Sequence, residues 1–274
     1  MGTPEFVAPI FDKISREHEI VAVFTRPPKP TGRRQELQKS PVHVWAESRG
    51  FPIETDINKI REYNADRAVV ISYGVILKKD VLDKMPFVNT HFSQLPKYRG
   101  ASPFQTAIMN GDSASGVCLM RIAEKLDTGD LYMCRPFAIG ENDTTAIVLA
   151  RAAGMTADML SEFLAAPEKY PPMPQVGEPT YTHKFTGEDE IIDWNKTPRQ
   201  IHNQVRAIGG RTKINGIDCK IIKTKIENEQ LEIEIVQPAG KRPMPWRDFV
   251  NGQRGQIKFG EGTTEKETKC SLRK

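Results

Sequence analysis

Five prolines, Pro167, Pro171, Pro172, Pro174 and Pro179, crowd the stretch from Ala165 to Pro179 and divide the chain into two folding problems. Each proline fixes φ and removes a backbone donor, so this stretch cannot continue a helix and reads as a stiff, extended connector. The residues before it alternate strand-like apolar runs with helical segments, whereas those beyond it form short runs of period two. With 274 residues and 38% hydrophobic side chains the chain can bury a full core and still supply a second domain.

In the first part the apolar runs Ile20 to Thr25, Arg67 to Ser72, Phe87 to Thr90 and Val117 to Ile122 predict strands. Ser40-Pro41 and Ser102-Pro103 each set a capping hydroxyl before a proline at the first helical position, with Gly50 and Gly111 as stops. Thr144 opens a third helix through Leu164, whose Ile147, Leu149, Met155, Met159 and Leu160 read as core. Strands alternating with helices give an α/β domain with a mainly parallel sheet. No Gly-x-Gly-x-x-Gly follows a strand, so a dinucleotide is not expected. In the second part a helix near Pro198 to Ala207 precedes alternating runs at Cys219 to Thr224 and Leu231 to Val236, the pattern of a small antiparallel sheet or barrel.

Charge divides at the same place. Residues 1–170 carry 21 basic and 21 acidic side chains, and residues 171–274 carry 18 and 14, so the whole +4 excess is C-terminal. Within 195–225 Lys196, Arg199, Arg206, Arg211, Lys213, Lys220, Lys223 and Lys225 face only Asp218, a local field strong enough to attract a phosphate backbone. A solvated basic face is the other reading. A proline- and glycine-marked loop from Arg26 to Lys39 brings Lys29, Arg33, Arg34 and Lys39 together as a second basic surface, with an ordinary surface loop as the alternative.

No apolar stretch approaches the roughly 20 residues that span a bilayer, and the N-terminus lacks a signal peptide's charged and apolar regions, so a cytoplasmic location is expected. Cys118, Cys134, Cys219 and Cys270 are widely spaced with no Cys-x-x-Cys pair, which predicts reduced, structural thiols and no metal site.

The chemistry concentrates at Asn89-Thr90-His91 and at Leu126-Asp127-Thr128-Gly129-Asp130. Asn89 and His91 fall at the carboxyl end of a buried strand, where open α/β sheets bind ligands. An amide N–H and an imidazole there can act on a carbonyl oxygen that turns negative when an amine attacks. Asp127, in a Thr- and Gly-rich turn, can hold the imidazole's other nitrogen and raise its pKa toward the working pH. Taken singly, Asn89 reads equally as a turn residue, His91 as a satisfied strand-end histidine, and Asp127 as a loop residue bonded to its own backbone.

Together with Leu95-Pro96-Lys97-Tyr98-Arg99-Gly100, these residues resemble the signature of the folate-dependent formyltransferases. The resemblance runs on through Gly2-Thr3-Pro4-Glu5-Phe6, Val23-Phe24-Thr25-Arg26-Pro27-Pro28 with Gly32-Arg33, Ser40-Pro41-Val42 and Ser72-Tyr73-Gly74-Val75-Ile76-Leu77. It extends to Ile192-Asp193-Trp194 and Gln237-Pro238-Ala239-Gly240-Lys241. It implies a Rossmann-like catalytic domain with helices on both faces of the sheet and a smaller OB-like β-barrel. The expected division is a catalytic domain at 1–168, a linker at 169–183, the barrel at 184–260 and a polar tail at 261–274.

The resemblance also implies Asn89, His91 and Asp127 as catalytic residues, 10-formyltetrahydrofolate as formyl donor, and the amino group of methionyl initiator tRNA as acceptor. A folate pocket is implied at Tyr73, Gly74, Ile76, Leu77, Ser93, Gln94, Leu95 and Pro96, although Gln94 departs from the leucine usual there. The tRNA would meet Arg33, Arg34, Arg206, Arg211, Lys213 and Lys220, and a monomer is implied. The family sets a strand immediately before Gly-Thr-Pro-Glu-Phe, where this sequence has Met1, so the first, central strand is expected to be missing. A sugar-nucleotide amine as acceptor, a noncatalytic RNA-binding relative, and a hydrolase releasing formate are the competing readings.

Overall fold

In the computed structural model, residues 1–32, 35–253 and 255–260 are described. In chain order the elements are α1 (Val7–Ile14), β1 (Val23–Phe24), β2 (Lys29–Thr31), β3 (Glu36–Gln38), α2 (Pro41–Ser48), β4 (Ile53–Glu54), β5 (Ala68–Ile71), α3 (Lys79–Leu82), β6 (Phe87–His91) and β7 (Arg99–Gly100). They continue with α4 (Pro103–Asn110), β8 (Ala114–Arg121), β9 (Leu131–Ala138), α5 (Thr145–Ala165), β10 (Tyr181–Thr182), α6 (Pro198–Ile208), β11 (Gly210–Ile214), β12 (Ile217–Glu227), β13 (Gln230–Pro238), β14 (Met244–Pro245) and α7 (Trp246–Asn251).

Two compact units emerge, one of residues 1–100, 116–137 and 149–181, the other of residues 101–115, 138–148 and 182–274. The grouping departs from the chain-order division drawn at 168/169, because α4 and the loop before α5 pack with the C-terminal segment.

The first unit is an α/β sheet. β1 pairs with β4 and β5 with β6, both in parallel, and β6 pairs with β8 in the antiparallel sense, with β9 outermost. Its apolar content explains the burial: Val70, Ile71, Phe87 and Val88 form near-continuous hydrophobic strands, as a sheet covered on both faces requires. α1 turns Val7, Ile10, Phe11 and Ile14 inward at spacings of three and four. α2 begins as expected, with the His43 N–H donating to Ser40 Oγ at 3.0 Å, and Gly50 at φ 73° follows its end. Ser102, by contrast, caps nothing through its side chain, although α4 does start at Pro103 and stops at Gly111 with φ 78°.

The strand expected to be missing has a partial occupant. Gly2 forms a parallel bridge to Ile71, its N–H donates to Phe24 O at 3.0 Å, and Met1 O accepts from Ile71 N at 2.9 Å. Met1 and Gly2 therefore lie between β1 and β5. A Cβ at residue 2 would press on Val7 Cγ1 at 2.7 Å, which only glycine avoids. The expected strand from Ile20 shortens to Val23–Phe24.

The second unit carries a four-stranded antiparallel sheet in the order β11, β12, β13, β14, with a bulge between Ile221 and Thr224. Ile201 and Val205 of α6 pack with Ile214, Ile221, Leu231, Ile233 and Val236 in its core. A reciprocal cap starts α6: Thr197 N–H donates to Gln200 Oε1 at 3.0 Å and Gln200 N–H to Thr197 Oγ1 at 3.2 Å. The opposite side of the helix is buried too, through His202, Asn203, Gln204 and Arg206. Among the described residues no helix is long and apolar enough to cross a membrane, and no cluster of three or more metal-ligating side chains is found.

Candidate active site

Residues 89 and 91 of β6 share one side of the strand because side chains alternate. Register fixes their surroundings. β5 ends with Ile71 beside Thr90, so the segment from Ser72 and the segment from Phe92 leave the sheet at the same edge. On the other side of β6, His91 stands opposite Cys118 of β8.

His91 is 5% exposed. Its Nε2–H donates to the Tyr98 carbonyl at 2.9 Å and its Nδ1 lies 3.5 Å from Asp127 Oδ2. Both ring nitrogens thus face oxygen acceptors, and a neutral ring can satisfy only one of them. Burial pushes the His91 pKa down from its ordinary value, outweighing the upward pull of Asp127 and of the Tyr98 carbonyl, while Arg99 adds to the lowering. The expectation that Asp127 would raise this pKa is corrected by the depth of the site: the carboxylate acts in the predicted sense, but burial acts more strongly.

Asp127 is held from three sides. Its Oδ2 accepts from Gly100 N–H at 2.8 Å, and its own backbone sits in the left-handed region at φ 51°. Its carbonyl accepts from Gln175 Nε2 at 2.9 Å, and the same nitrogen donates to Gly129 O at 2.8 Å. Gln175 Oε1 in turn accepts from Arg99 Nη2 at 2.7 Å. Gly129 is required by closeness, since any Cβ there would collide with the Arg121 carbonyl oxygen. Tyr98, at φ 59°, is fixed by its N–H donating to Thr180 Oγ1 at 2.8 Å and by Arg99 N–H donating to Thr180 O at 2.8 Å. The proline-rich stretch, read from sequence as a connector, is therefore part of the site's scaffold. Gln175 and Thr180 carry no local signal that would have singled them out.

Asn89 is half-buried, and among the described residues its side-chain amide has no hydrogen-bond partner. An amide donor left open beside a buried imidazole and carboxylate can bind a developing oxyanion. The trio predicted from sequence is thus brought to one edge, with His91 and Asp127 in direct contact.

The predicted folate residues separate into two groups. Tyr73 is a correction: it is 2% exposed and packs with Phe24, Ile60, Val70, Val81 and Phe87, so its ring is core. Its carbonyl is the part turned outward, accepting from Thr3 Oγ1 at 3.0 Å and Arg26 Nε at 3.2 Å. Ser72 at φ 46° and Gly74 at φ 71° make the turn that reverses the alternation. A Cβ at Gly74 would collide with the Arg26 guanidinium, which donates to the Gly74 carbonyl. Ile76 is 89% exposed and Leu77 half-buried against the core. Ser93 is fully buried, its hydroxyl donating to Lys97 O, and Leu95 packs with Cys118, Met120 and Leu131. Gln94 is exposed, and Pro96 follows Leu95 across a cis bond.

A second correction concerns Cys118 and Cys134, read as reduced thiols. They are joined in a disulfide, because neighbouring strands β8 and β9 bring their Cα atoms to 4.1 Å. Cys219 is free and buried.

Of the predicted tRNA residues, Arg33 and Arg34 lie outside the described residues. Arg206 is buried: Nε donates to Asn203 Oδ1 at 3.0 Å, Nη1 to Asp143 O at 3.0 Å and Nη2 to Ile108 O at 3.3 Å. It is a structural residue of the second unit and not part of an exposed basic face. Arg211 pairs with Glu190 at 2.5 Å. Arg211, Lys213 and Lys220 line one cavity of about 750 Å³, together with Gln237, Ala239 and Gly240.

Residues 1–164 match the family described as Formyl transferase, and residues 184–230 match Formyl transferase, C-terminal domain. The methionyl-tRNA formyltransferase of Fusobacterium nucleatum is 33% identical, covering 95% of this chain and 97% of its own length. That of Rickettsia bellii is 37% identical, covering 92% and 95%. Among solved structures, the N-formyltransferase from Helicobacter canadensis, in complex with folinic acid and dTDP-3-aminofucose, superposes with a TM-score of 0.66 at 23% identity, over 88% of this chain and 94% of its own.

Proposed function

Since this chain belongs to the formyl transferase family, we propose that it moves a formyl group from 10-formyltetrahydrofolate to the amino group of methionyl initiator tRNA, supporting translation initiation in the cytoplasm as a monomer. The observation that carries the chemical part is the buried His91 and Asp127 contact at the sheet edge beside an open Asn89 amide.

Neutral His91 collects at Nδ1, the nitrogen that its Nε2–H bond to the Tyr98 carbonyl leaves unprotonated, the proton that the attacking amine releases, through one water. The charge so formed is met by Asp127 at Nδ1 and by the Tyr98 carbonyl at Nε2. Asn89 donates to the oxygen of the tetrahedral intermediate, a contact worth roughly 3 kcal/mol of barrier in comparable sites. The imidazolium then returns the proton to the departing folate nitrogen, which balances the step. Ile76, exposed beyond the Gly74 turn, offers the apolar surface for the flat heteroaromatic ring, with Gln94 and Pro96 on the neighbouring loop. Arg211, Lys213 and Lys220 carry the phosphate contacts, joined by Arg33 and Arg34 of the sequence's basic loop.

The test is single-turnover formylation of methionyl initiator tRNA by the purified protein, run beside a dTDP-aminosugar. Formylmethionine formed on tRNA alone supports the reading. Formylation of the sugar alone, or of neither acceptor by a folded protein, overturns it.

A further inference from the structure

Antiparallel pairing sets His91 of β6 directly opposite Cys118 of β8, and Asn89 opposite Met120. Residues directly opposite share a face of the sheet, so Cys118 points to the same side as Asn89 and His91. Its bond to Cys134 carries the row one strand further, onto β9. His91, Cys118 and Cys134 therefore cross three neighbouring strands on one face, with the imidazole at one end and the disulfide at the other. The loop that leaves β6 lies over this row. Leu95 packs with Cys118, Met120 and Leu131. A Cβ at Gly116, two residues before Cys118, would meet Gln94 Cγ at 2.7 Å and the Arg135 carbonyl oxygen at 2.9 Å, so Gln94 rests on the seam between β8 and β9. Tyr98, whose carbonyl holds His91 Nε2, ends the same loop. The two sulfurs differ in access: Cys118 is fully buried, whereas Cys134 is exposed.

We propose that Cys134 is a redox modification site, and that its linkage to Cys118 weakens binding of the folate donor on the loop above. The inference rests on the reading that this site takes a folate and works in the cytoplasm. There thiols are kept reduced, so the pair is a dithiol at rest and is linked under oxidant. The exposed Cys134 thiolate attacks one oxygen of hydrogen peroxide, loses two electrons to become the sulfenic acid, and with one proton releases water. The Cys118 sulfur then attacks the Cys134 sulfur; the S–S bond forms, the S–O bond breaks, and the hydroxyl leaves with the Cys118 proton as a second water. A small dithiol reverses the linkage, entering at the exposed Cys134 sulfur and ending as its own disulfide. Bonding brings the two sulfurs closer than non-bonded contact allows, which narrows the seam under Gln94 and shifts the surface on which Leu95 packs. The linked form is the weak binder.

The test treats the full chain with dithiothreitol or with hydrogen peroxide, removes the reagent, and titrates each sample with folinic acid by calorimetry. Mass spectrometry of the alkylated, digested protein reads the Cys118 to Cys134 linkage in parallel. Peroxide is expected to link the pair and to lower affinity for folinic acid about fivefold or more, with dithiothreitol restoring it. That recovery separates the switch from methionine oxidation, which dithiothreitol leaves in place. Cys134→Ser is expected to form no link and to keep the affinity of the reduced protein under peroxide. A pair that stays unlinked in peroxide overturns the proposal, as does a linked protein that binds folinic acid as tightly as the reduced one. Failure to bind folinic acid in either state overturns the folate reading and the switch with it. Formyl transfer is not read, so an error in the acceptor leaves each of these outcomes intact.

Discussion

The Nδ1 of His91 stands 3.5 Å from Oδ2 of Asp127, with 6% of one side chain and 10% of the other open to solvent. That spacing couples them electrostatically without a tight hydrogen bond, and burial makes the coupling strong. Asp127 raises the His91 pKa while burial lowers it. Replacing Asp127 with Asn removes the upward part. The acid limb of the kcat/KM profile for formyl transfer is then expected to move to lower pH while the plateau falls by about 10²-fold. A variant whose acid limb stays in place would detach His91 from the proton transfer. His91→Ala is expected to lose about 10²- to 10⁴-fold in kcat with the fold retained.

Stability has its own pH dependence. The pKa values of His91 and His202 are both lowered in the fold, each mainly by burial. A basic group with a depressed native pKa binds fewer protons folded than unfolded across the interval between its two values. Stability is therefore complete above the unfolded values and is lost as pH falls below about 6.5 through the two histidines. Thermal unfolding followed from pH 8.5 to 5 should show a level Tm at the alkaline end and a fall below about 6.5.

Arg206 and Lys220 were grouped by sequence and are separated by structure. Arg206→Ala should cost about 2–4 kcal/mol, because it removes the guanidinium donors that Asn203 Oδ1 and the carbonyls of Asp143 and Ile108 accept in the interior of the second unit. Arg206→Lys should recover little, since one ammonium cannot reach the several carbonyls the planar fork serves. Lys220→Ala should leave the Tm alone and reduce the slope of log affinity for tRNA against log salt by about one. Arg211→Ala should reduce it less, because Glu190 already engages that guanidinium.

Sequence suffices where the deciding rules are local. Asn89, His91 and Asp127 were legible because alternation along one strand and a glycine-bearing turn place them. The cap at Ser40 was legible for the same reason. Tyr73 was not, since Ser72 at φ 46° breaks the alternation and sends the ring to the core. The Cys118 and Cys134 pair lies 16 residues apart, and only the packing of β8 beside β9 brings it together. Arg206 read as surface because α6 has a polar side, whereas residues 101–115 and 138–148 bury that side within the second unit.

Gln175 is the residue that sequence gave no reason to notice, and it supplies the sharpest test of the site's scaffold. Its amide nitrogen bonds the carbonyls of Asp127 and Gly129, and its amide oxygen is fixed by Arg99. It touches no reacting group, so it acts by position. Gln175→Ala should lower kcat about tenfold while leaving KM for tRNA and the global Tm nearly unchanged, because a loop displaced by a fraction of an ångström misplaces the carboxylate. Gln175→Glu should be worse than alanine. It keeps the Arg99 bond but turns a carboxylate oxygen toward two carbonyl acceptors, where the native group donates. If alanine and glutamate variants matched the parent in kcat, the loop would be held by Gly129 and Gly100 without Gln175, and the proline-rich stretch would return to being a connector.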